Sequence, residues 1–303
     1  MTAEPFKRDG LAGLEEAELV KGRSLWQDAR RRLFNNKAAV ASMIFLSIIV
    51  IMAVLAPLLS PWAFDDPDWG YDFPGPPNLE LKHWFGTDGN GRDLFVRTLY
   101  GARISLLVGI IATSVSLLIG VTYGATAGFI GGRTDNIMMR IVDILYSLPF
   151  MIFVILLMVI FGRNIFLIFV ALGAVEWLTM ARIVRGQALS VKKKEFIEAA
   201  HAVGVSGAKI ITRHIIPNVL GPVIVYMTLT IPQVILTESF LSFLGLGVQE
   251  PLTSWGVLIS EGAKQMESAP WMLIFPALFL AVTLFCFNFI GDGLRDALDP
   301  KDR

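Results

Sequence analysis

Long apolar runs separated by short polar stretches dominate the pattern along the chain. A helix that crosses a membrane needs roughly 20 mostly apolar residues. Six windows meet or approach this length, and the few polar residues cannot hide so much apolar surface in a soluble core. The pattern therefore predicts an all-α membrane protein with six transmembrane helices. The predicted windows are Ala38–Leu59, Ile104–Gly128, Ile144–Phe161, Ile165–Met180, Val219–Ser239 and Trp271–Ile290.

Two polar stretches stand out between and before these windows. Residues 1–37 are polar and charged and contain no signal peptide, so we expect the chain to begin on the side where it is made. The longest connection, residues 61–103, opens with a Pro-, Trp- and Asp-rich stretch that cannot form a regular helix. Its last part, residues 93–103, mixes apolar residues with arginines and predicts an interfacial helix, or alternatively a solvated one, that leads into the second span.

Composition and charge support a membrane class and give an orientation. The chain is 54% apolar and 17% charged, and 26 Lys and Arg balance 26 Asp and Glu. This composition excludes a disordered chain and a uniformly basic nucleic-acid binder. With an inside N-terminus and six crossings, 20 of the 26 basic residues fall on the inside and 6 on the outside. Basic residues are enriched in cytoplasmic loops, so we expect a multi-pass bacterial inner-membrane protein with both termini in the cytoplasm.

Signatures of catalysis and metal binding are missing from the sequence. Cys286 is the single cysteine, and the three histidines do not have metal-ligand spacing. The chain has no Gly-Lys dipeptide and therefore no P-loop for a nucleotide, and it has neither a zinc-protease signature nor a nucleophile-turn motif. An intramembrane enzyme is disfavoured because His201 and His214 lie outside the predicted spans. We therefore expect no catalytic residue, no metal ligand and no cofactor bound by this chain.

Glycines and carboxylates within the spans are informative. Gly120, Gly124 and Gly128 recur every four residues, which favours a helix face that another helix approaches closely. Ionisable residues at membrane depth usually face a cavity or a partner, so Glu238 and Glu176 are candidate pathway or gate residues. Glu238 could instead serve packing. For Glu176 the alternatives are an ion pair with an arginine such as Arg182, or a shorter span that leaves it at the interface.

The loop between the fourth and fifth windows, about residues 190–217, carries the strongest motif. Apolar residues recur at helical spacing up to Val203, and Gly204 suits the end of a helix. A second helix is predicted from Ser206 to Ile216, ending before Pro217. Two short helices around a glycine also describe a DNA-reading helix-turn-helix. Because both ends of the loop lead directly into spans, DNA binding is disfavoured.

This loop resembles the signature of the membrane permeases of binding-protein-dependent ABC importers. The signature reads Glu-Ala-Ala, three residues, Gly, nine residues, Ile, one residue, Leu-Pro. His214 and Ile216 replace its Ile and Leu, as is familiar in the peptide-importing branch. The matching residues are Glu198, Ala199, Ala200, Gly204 and Pro217.

Further segments are similar to the peptide-importing branch, and the similarity runs from about residue 23 to the end. The opening residues 22–32 and the closing residues 287–293 most resemble the second, C-type permease subunit of bacterial oligopeptide importers. The other matching segments are residues 85–88, 91–93, 238–247, 254–256, 291–296 and 298–300.

The resemblance implies a type I (MetI-like) ABC permease fold with a cytoplasmic coupling helix. It divides the chain into a cytoplasmic segment (1–37), a first helix with a periplasmic segment (38–100), a five-helix permease domain (101–291) and a cytoplasmic tail (292–303). The resemblance implies a second permease subunit, a periplasmic peptide-binding protein and two ATPase subunits that bind ATP and Mg. The expected function is ATP-driven import of peptides through a pathway that this chain forms with the second permease, in contact with membrane lipid, with oligopeptides as substrate and dipeptides or metal complexes as alternatives. An ion-coupled secondary transporter is disfavoured because the chain shows no internal repeat.

Overall fold

A computed structural model describes residues 25–162 and 164–298 of the chain. The predicted N-terminal segment up to residue 24, the predicted tail from residue 299, and Arg163, one of the six basic residues expected on the outside, lie outside the described residues. Within the described ranges the regular structure is helical, apart from isolated bridges in the segment before residue 94. The prediction of an all-α membrane protein is confirmed. The helices are α1 Leu25–Asn35, α2 Lys37–Leu59, α3 Leu94–Ile130, α4 Gly132–Ser147, α5 Phe150–Phe161, α6 Ile165–Val191, α7 Glu195–Ala202, α8 Gly207–Ile210, a π-helical turn Ile211–Ile215, α9 Ile216–Phe243, α10 Trp255–Lys264 and α11 Trp271–Leu298.

Five helices are long and apolar enough to cross a membrane among the residues described. They are α2, α3, α6, the continuous stretch Gly207–Phe243, and α11. The predicted third window, 144–161, is not one straight helix: α4 and α5 meet at a bend of 76°, and together they make up to a sixth span. The bend lies at Leu148 and Pro149, because proline disfavours helical geometry in the preceding residue and lacks a backbone N–H.

Helix α3 starts ten residues before the predicted second window, and its first turns are buried. Leu94, Arg97 and Leu99 are each no more than 1% exposed. The expectation of an interfacial or solvated helix over residues 93–103 is therefore wrong. This stretch is buried by a helix from far along the chain. The indole of Trp255 in α10 lies against it and donates from Nε1 to the Thr98 carbonyl at 3.1 Å.

The predicted glycine face of α3 packs against α6. A Cβ on Gly120 would lie 2.6 Å from the Cβ of Met180, one on Gly124 would collide with the Ala181 carbonyl, and one on Gly128 would lie 2.8 Å from the Cβ of Ala188. Side-chain-free positions permit this close crossing. The structure confirms the packing role of the three glycines.

The segment between α2 and α3 folds around a buried histidine. His83 Nδ1 lies 2.8 Å from an Asp93 oxygen and Nε2 lies 3.2 Å from an Asp68 oxygen. Asp93 also caps α3 by accepting from the Val96 N–H at 2.8 Å. Burial raises the pKa of Asp93, whereas hydrogen bonds from the Gly70 N–H and from His83 lower the pKa of Asp68. These contacts fix the segment to the first turn of the second span.

Candidate functional site

The loop between the fourth and fifth windows folds as a short helix and a tight turn. Helix α7 follows Lys194 and carries Glu195 and Glu198 in its first turn, where negative charge complements the helix dipole. The chain reverses at Gly204, which has a φ of +80°. Val205 N–H donates back to the Ala200 carbonyl at 3.0 Å, which closes the turn. The predicted helix end at Gly204 is confirmed.

One face of α7 is attached to the spans and the other is open. Ile197 is 1% exposed and packs in a cluster with residues of α3, α6 and α9, and the ring of His201 stacks on Phe129 of α3 at 5.6 Å between centroids. Glu198 and Ala199 are exposed, and Val203 is 83% exposed. One face of α7 is therefore packed against the spans, and the opposite face is exposed.

The structure brings four of the five predicted coupling residues together. Glu198, Ala199 and Ala200 lie on α7 and Gly204 forms its turn, whereas Pro217 lies on α9 beyond the π-helical turn. The N-cap residue of α7, Lys194, makes no side-chain hydrogen bond to the helix. In the described part of the chain, the Glu198 carboxylate forms no hydrogen bond or ion pair.

Pro217 does not end the second loop helix. The helix that begins at Gly207 continues through the π-helical turn into α9 without a break. In this turn the Ile216 N–H bonds to the Ile211 carbonyl, one residue further back than in an α-helix. Pro217 removes one backbone N–H from this continuous helix, and the wider π-helical turn directly before it accommodates the missing bond and the proline ring. The coupling loop is therefore joined directly to a span.

Glu238 is enclosed by hydroxyl groups. It is 0% exposed on α9, and its oxygens accept from Ser242 at 2.6 Å, Ser254 at 2.7 Å and Ser105 at 3.4 Å. We call these three residues the serine cage. Two of its members, Ser105 of α3 and Ser254 at the start of α10, come from distant parts of the sequence. In the sequence, Ser254 belongs to the matching segment 254–256 and precedes an apolar helix; as its N-cap residue, it accepts from the Val257 N–H at 3.3 Å.

Glu176 lies in a different environment. It is the twelfth residue of the 27-residue helix α6, which is longer than the predicted window Ile165–Met180; the alternative of a shorter span with Glu176 at the interface stays a prediction. The alternative of an ion pair with Arg182 is wrong, because Arg182 donates to Asp143 at 2.9 Å. Positions six apart on a helix do not face each other, and Asp143 of α4 is the closer partner.

Glu176 lines a cavity of about 590 Å³ between α4, α5, α6 and α9. Ligand sites in proteins have volumes of about 300–1,000 Å³. Its walls combine apolar and aromatic side chains with a few polar groups. The lining residues are Leu145, Tyr146, Leu148, Phe150, Phe153, Ala174, Val175, Glu176, Leu178, Thr179, Tyr226 and Gln233.

Two family models match the chain. The model described as binding-protein-dependent transport system inner membrane component matches residues 120–303. The model described as N-terminal TM domain of oligopeptide transport permease C matches residues 24–79. The first match contains α7, Glu176, Glu238 and the cavity lining.

Curated relatives match over nearly the whole chain. The oligopeptide transport system permease protein OppC of Haemophilus influenzae is 62% identical over 290 residues, which cover 96% of this chain and 93% of the relative. OppC of Escherichia coli K12 is 61% identical over 97% of both chains. The dipeptide transport system permease protein DppC of Bacillus subtilis is 50% identical over 95% of this chain and 90% of the relative.

Proposed function

Because the chain belongs to the family of binding-protein-dependent transport system inner membrane components, we propose that it forms the translocation pathway of an ATP-driven importer of oligopeptides. The chain is a multi-pass membrane permease and not an enzyme. The observation that carries the proposal is the position of helix α7: Glu198 and Ala199 are exposed, whereas Ile197 packs in a cluster with residues of three spans. The identity of 62% to an oligopeptide permease supports the substrate class.

The exposed face of α7 is the proposed docking site for an ATPase subunit. A short helix in a groove is a common mode of protein recognition, and apolar anchors such as Val203 suit it. Glu198 contributes a charged contact to the partner, consistent with its lack of a partner among the residues described. ATP-driven closure of two such subunits would move α7 and, through its packing, the spans.

The proposed assembly contains a second permease, two ATPase subunits that bind ATP and Mg, and a periplasmic peptide-binding protein. In this arrangement both termini lie in the cytoplasm. The outer segments, residues 61–103 and 245–270, face the binding protein. Their mutual packing through Arg92, whose Nη2 lies 3.0 Å from a Glu250 oxygen, supports a joint outer surface. Membrane lipid surrounds the spans, and no nucleic acid is involved.

The coupling role is tested by Gly204→Val in the complete importer reconstituted in liposomes. A β-branched residue is strained at a φ of +80°, so the turn must change and the exposed face of α7 must shift. We expect ATP hydrolysis to persist while peptide uptake per ATP falls roughly tenfold or more, the scale of about 1.4 kcal/mol in coupling.

The matched control is Gly132→Val at the first residue of α4. Gly132 also has a positive φ, +58°, and a Cβ there meets nothing within 4 Å, as at Gly204. Coupled uptake should survive this substitution. Wild-type uptake per ATP in the Gly204 variant would contradict the proposed coupling role.

The substrate class and energy source are tested by competition in the same liposomes. A tetrapeptide should inhibit uptake of a labelled tripeptide more strongly than a dipeptide or a metal complex does. The chain alone, without ATPase subunits, should transport nothing. Ion-driven uptake by the isolated chain would contradict the ABC mechanism.

A further inference from the structure

The carboxylate of Glu176 has no counter-charge within the described chain. It lies near the middle of α6, about 17 Å along the helix from its first residue. It is half-buried and forms no hydrogen bond or ion pair with another described residue. A carboxylate at this depth is costly against lipid and usually faces a cavity or a partner. Glu176 lines the cavity, so the group it attracts must enter there.

The cavity wall suits a cation. Glu176 is the only charged residue among the lining side chains, and four of the others are aromatic: Tyr146, Phe150, Phe153 and Tyr226. Aromatic faces attract ammonium groups, and Thr179 and Gln233 add hydrogen-bonding groups. The nearby guanidinium of Arg182 stacks over the Tyr146 ring at 4.3 Å and is held by Asp143, so it does not neutralise Glu176.

Two further cavities border α9 and share lining residues with the first. Tyr226 lines a second cavity of about 550 Å³ on the side of Arg295, and Gln233 lines a third of about 370 Å³. The first cavity is lined by residues of both α4 and α5, on the two sides of the bend at Leu148 and Pro149. A series of cavities that share lining residues is the geometry expected of a route for an extended molecule.

We propose that Glu176 binds the terminal ammonium group of the peptide during its passage through the permease. The ammonium is the one positive group that unmodified peptides share whatever their sequence, whereas the apolar walls can accept different side chains. This inference rests on the proposed function of peptide import. It adds to that function a residue of the spans, Glu176, that recognises the peptide.

The test uses the complete importer with a photoreactive residue in place of Leu145, which lines the cavity. The probes are labelled trialanine and its N-acetyl form, which lacks the ammonium. Binding is measured as cross-linking to this chain in the detergent-solubilised complex, and uptake is measured separately in liposomes. We expect N-acetyl-trialanine to cross-link roughly tenfold less than trialanine, the loss of one hydrogen-bonded charge contact.

Variants of the same complex test the contribution of the Glu176 carboxylate by itself. Glu176→Gln should lower trialanine cross-linking roughly tenfold and remove the preference over the acetylated peptide, while Glu176→Asp should keep the preference. Asp296→Asn, which removes an exposed carboxylate at the end of α11, should change neither quantity.

Each other outcome overturns the inference. Equal cross-linking of both probes, or no cross-linking while uptake proceeds, would place ammonium recognition elsewhere. Loss of the second permease from the Glu176→Gln complex would show that Glu176 pairs with a cation of that subunit. Failure of the proposed function is recognised separately, because the wild-type importer would then take up no peptide.

Discussion

Two glutamates of the spans, Glu238 and Glu176, lie in opposite environments. Glu238 is closed off by the serine cage, with all its contacts supplied by the chain itself. Glu176 opens into the cavity and has no such partner in the described residues. The difference shows that the role of a carboxylate within an apolar helix depends on its surroundings. A buried, fully bonded carboxylate fixes helices together, whereas an unpaired one beside a cavity is available to a ligand.

The largest effect is expected from breaking the serine cage with Glu238→Ala. The substitution leaves Ser242 and Ser254 without their acceptor and opens a cavity between α3, α9 and α10. We expect the free energy of unfolding in detergent to fall by about 3–5 kcal/mol. Glu238→Gln is the control, because its amide oxygen can still accept from both serines. Equal loss in both variants would mean that the charge, and not the hydrogen bonds, stabilises this site.

A smaller effect is expected at the crossing of α3 and α6, which joins the helix of Ser105 to the helix of Glu176. Gly124→Val places side-chain atoms against the Ala181 carbonyl, and overpacking of this kind costs about 1–3 kcal/mol. Thermal unfolding in detergent measures this loss. Gly186→Val is the control on α6, since a Cβ at Gly186 meets nothing within 4 Å. If both variants are equally stable, the glycine face does not determine the crossing.

The smallest effect on stability is expected from Glu176→Ala. No described residue loses a hydrogen bond and an unpaired carboxylate is removed, so the free energy of unfolding should fall by no more than about 0.5 kcal/mol. The same denaturation experiment as for Glu238→Ala gives a direct comparison. A loss as large as that of Glu238→Ala would show that Glu176 is bonded within the chain, and the contrast between the two carboxylates would disappear.

Much of the fold follows from local sequence. Windows of apolar residues locate the spans, and Gly204 marks the turn of the coupling loop, because both signals depend on neighbours along the chain. The burial of Arg97 does not follow, since its guanidinium lies 3.6 Å from a carboxylate oxygen of Glu261 in α10, a residue far along the chain. The continuation of the helix through Pro217 depends on a π-helical turn that hydrophobic periodicity does not reveal.

In the candidate site, too, the motifs can be predicted from the sequence, whereas the tertiary contacts cannot. The Glu-Ala-Ala motif and the two membrane carboxylates are visible in the sequence, but their environments are not. The partner of Arg182 is Asp143, 39 residues earlier on another helix. The hydroxyls around Glu238 come from three helices or their ends. Such contacts require tertiary structure, because they form only when distant helices pack.

The unbroken helix from Gly207 to Phe243 has a mechanical consequence. Its 37 residues begin at the coupling loop and end beyond Glu238, and they include Tyr226 and Gln233 of the cavity. At about 1.5 Å per residue such a rod is about 55 Å long, so a tilt of one degree about its inner end displaces its outer end by about 1 Å. In the proposed coupling role the helix would act as a lever: a displacement of its end at the coupling loop would move Tyr226 and Gln233 and would load the hydrogen bonds of Glu238 near its other end.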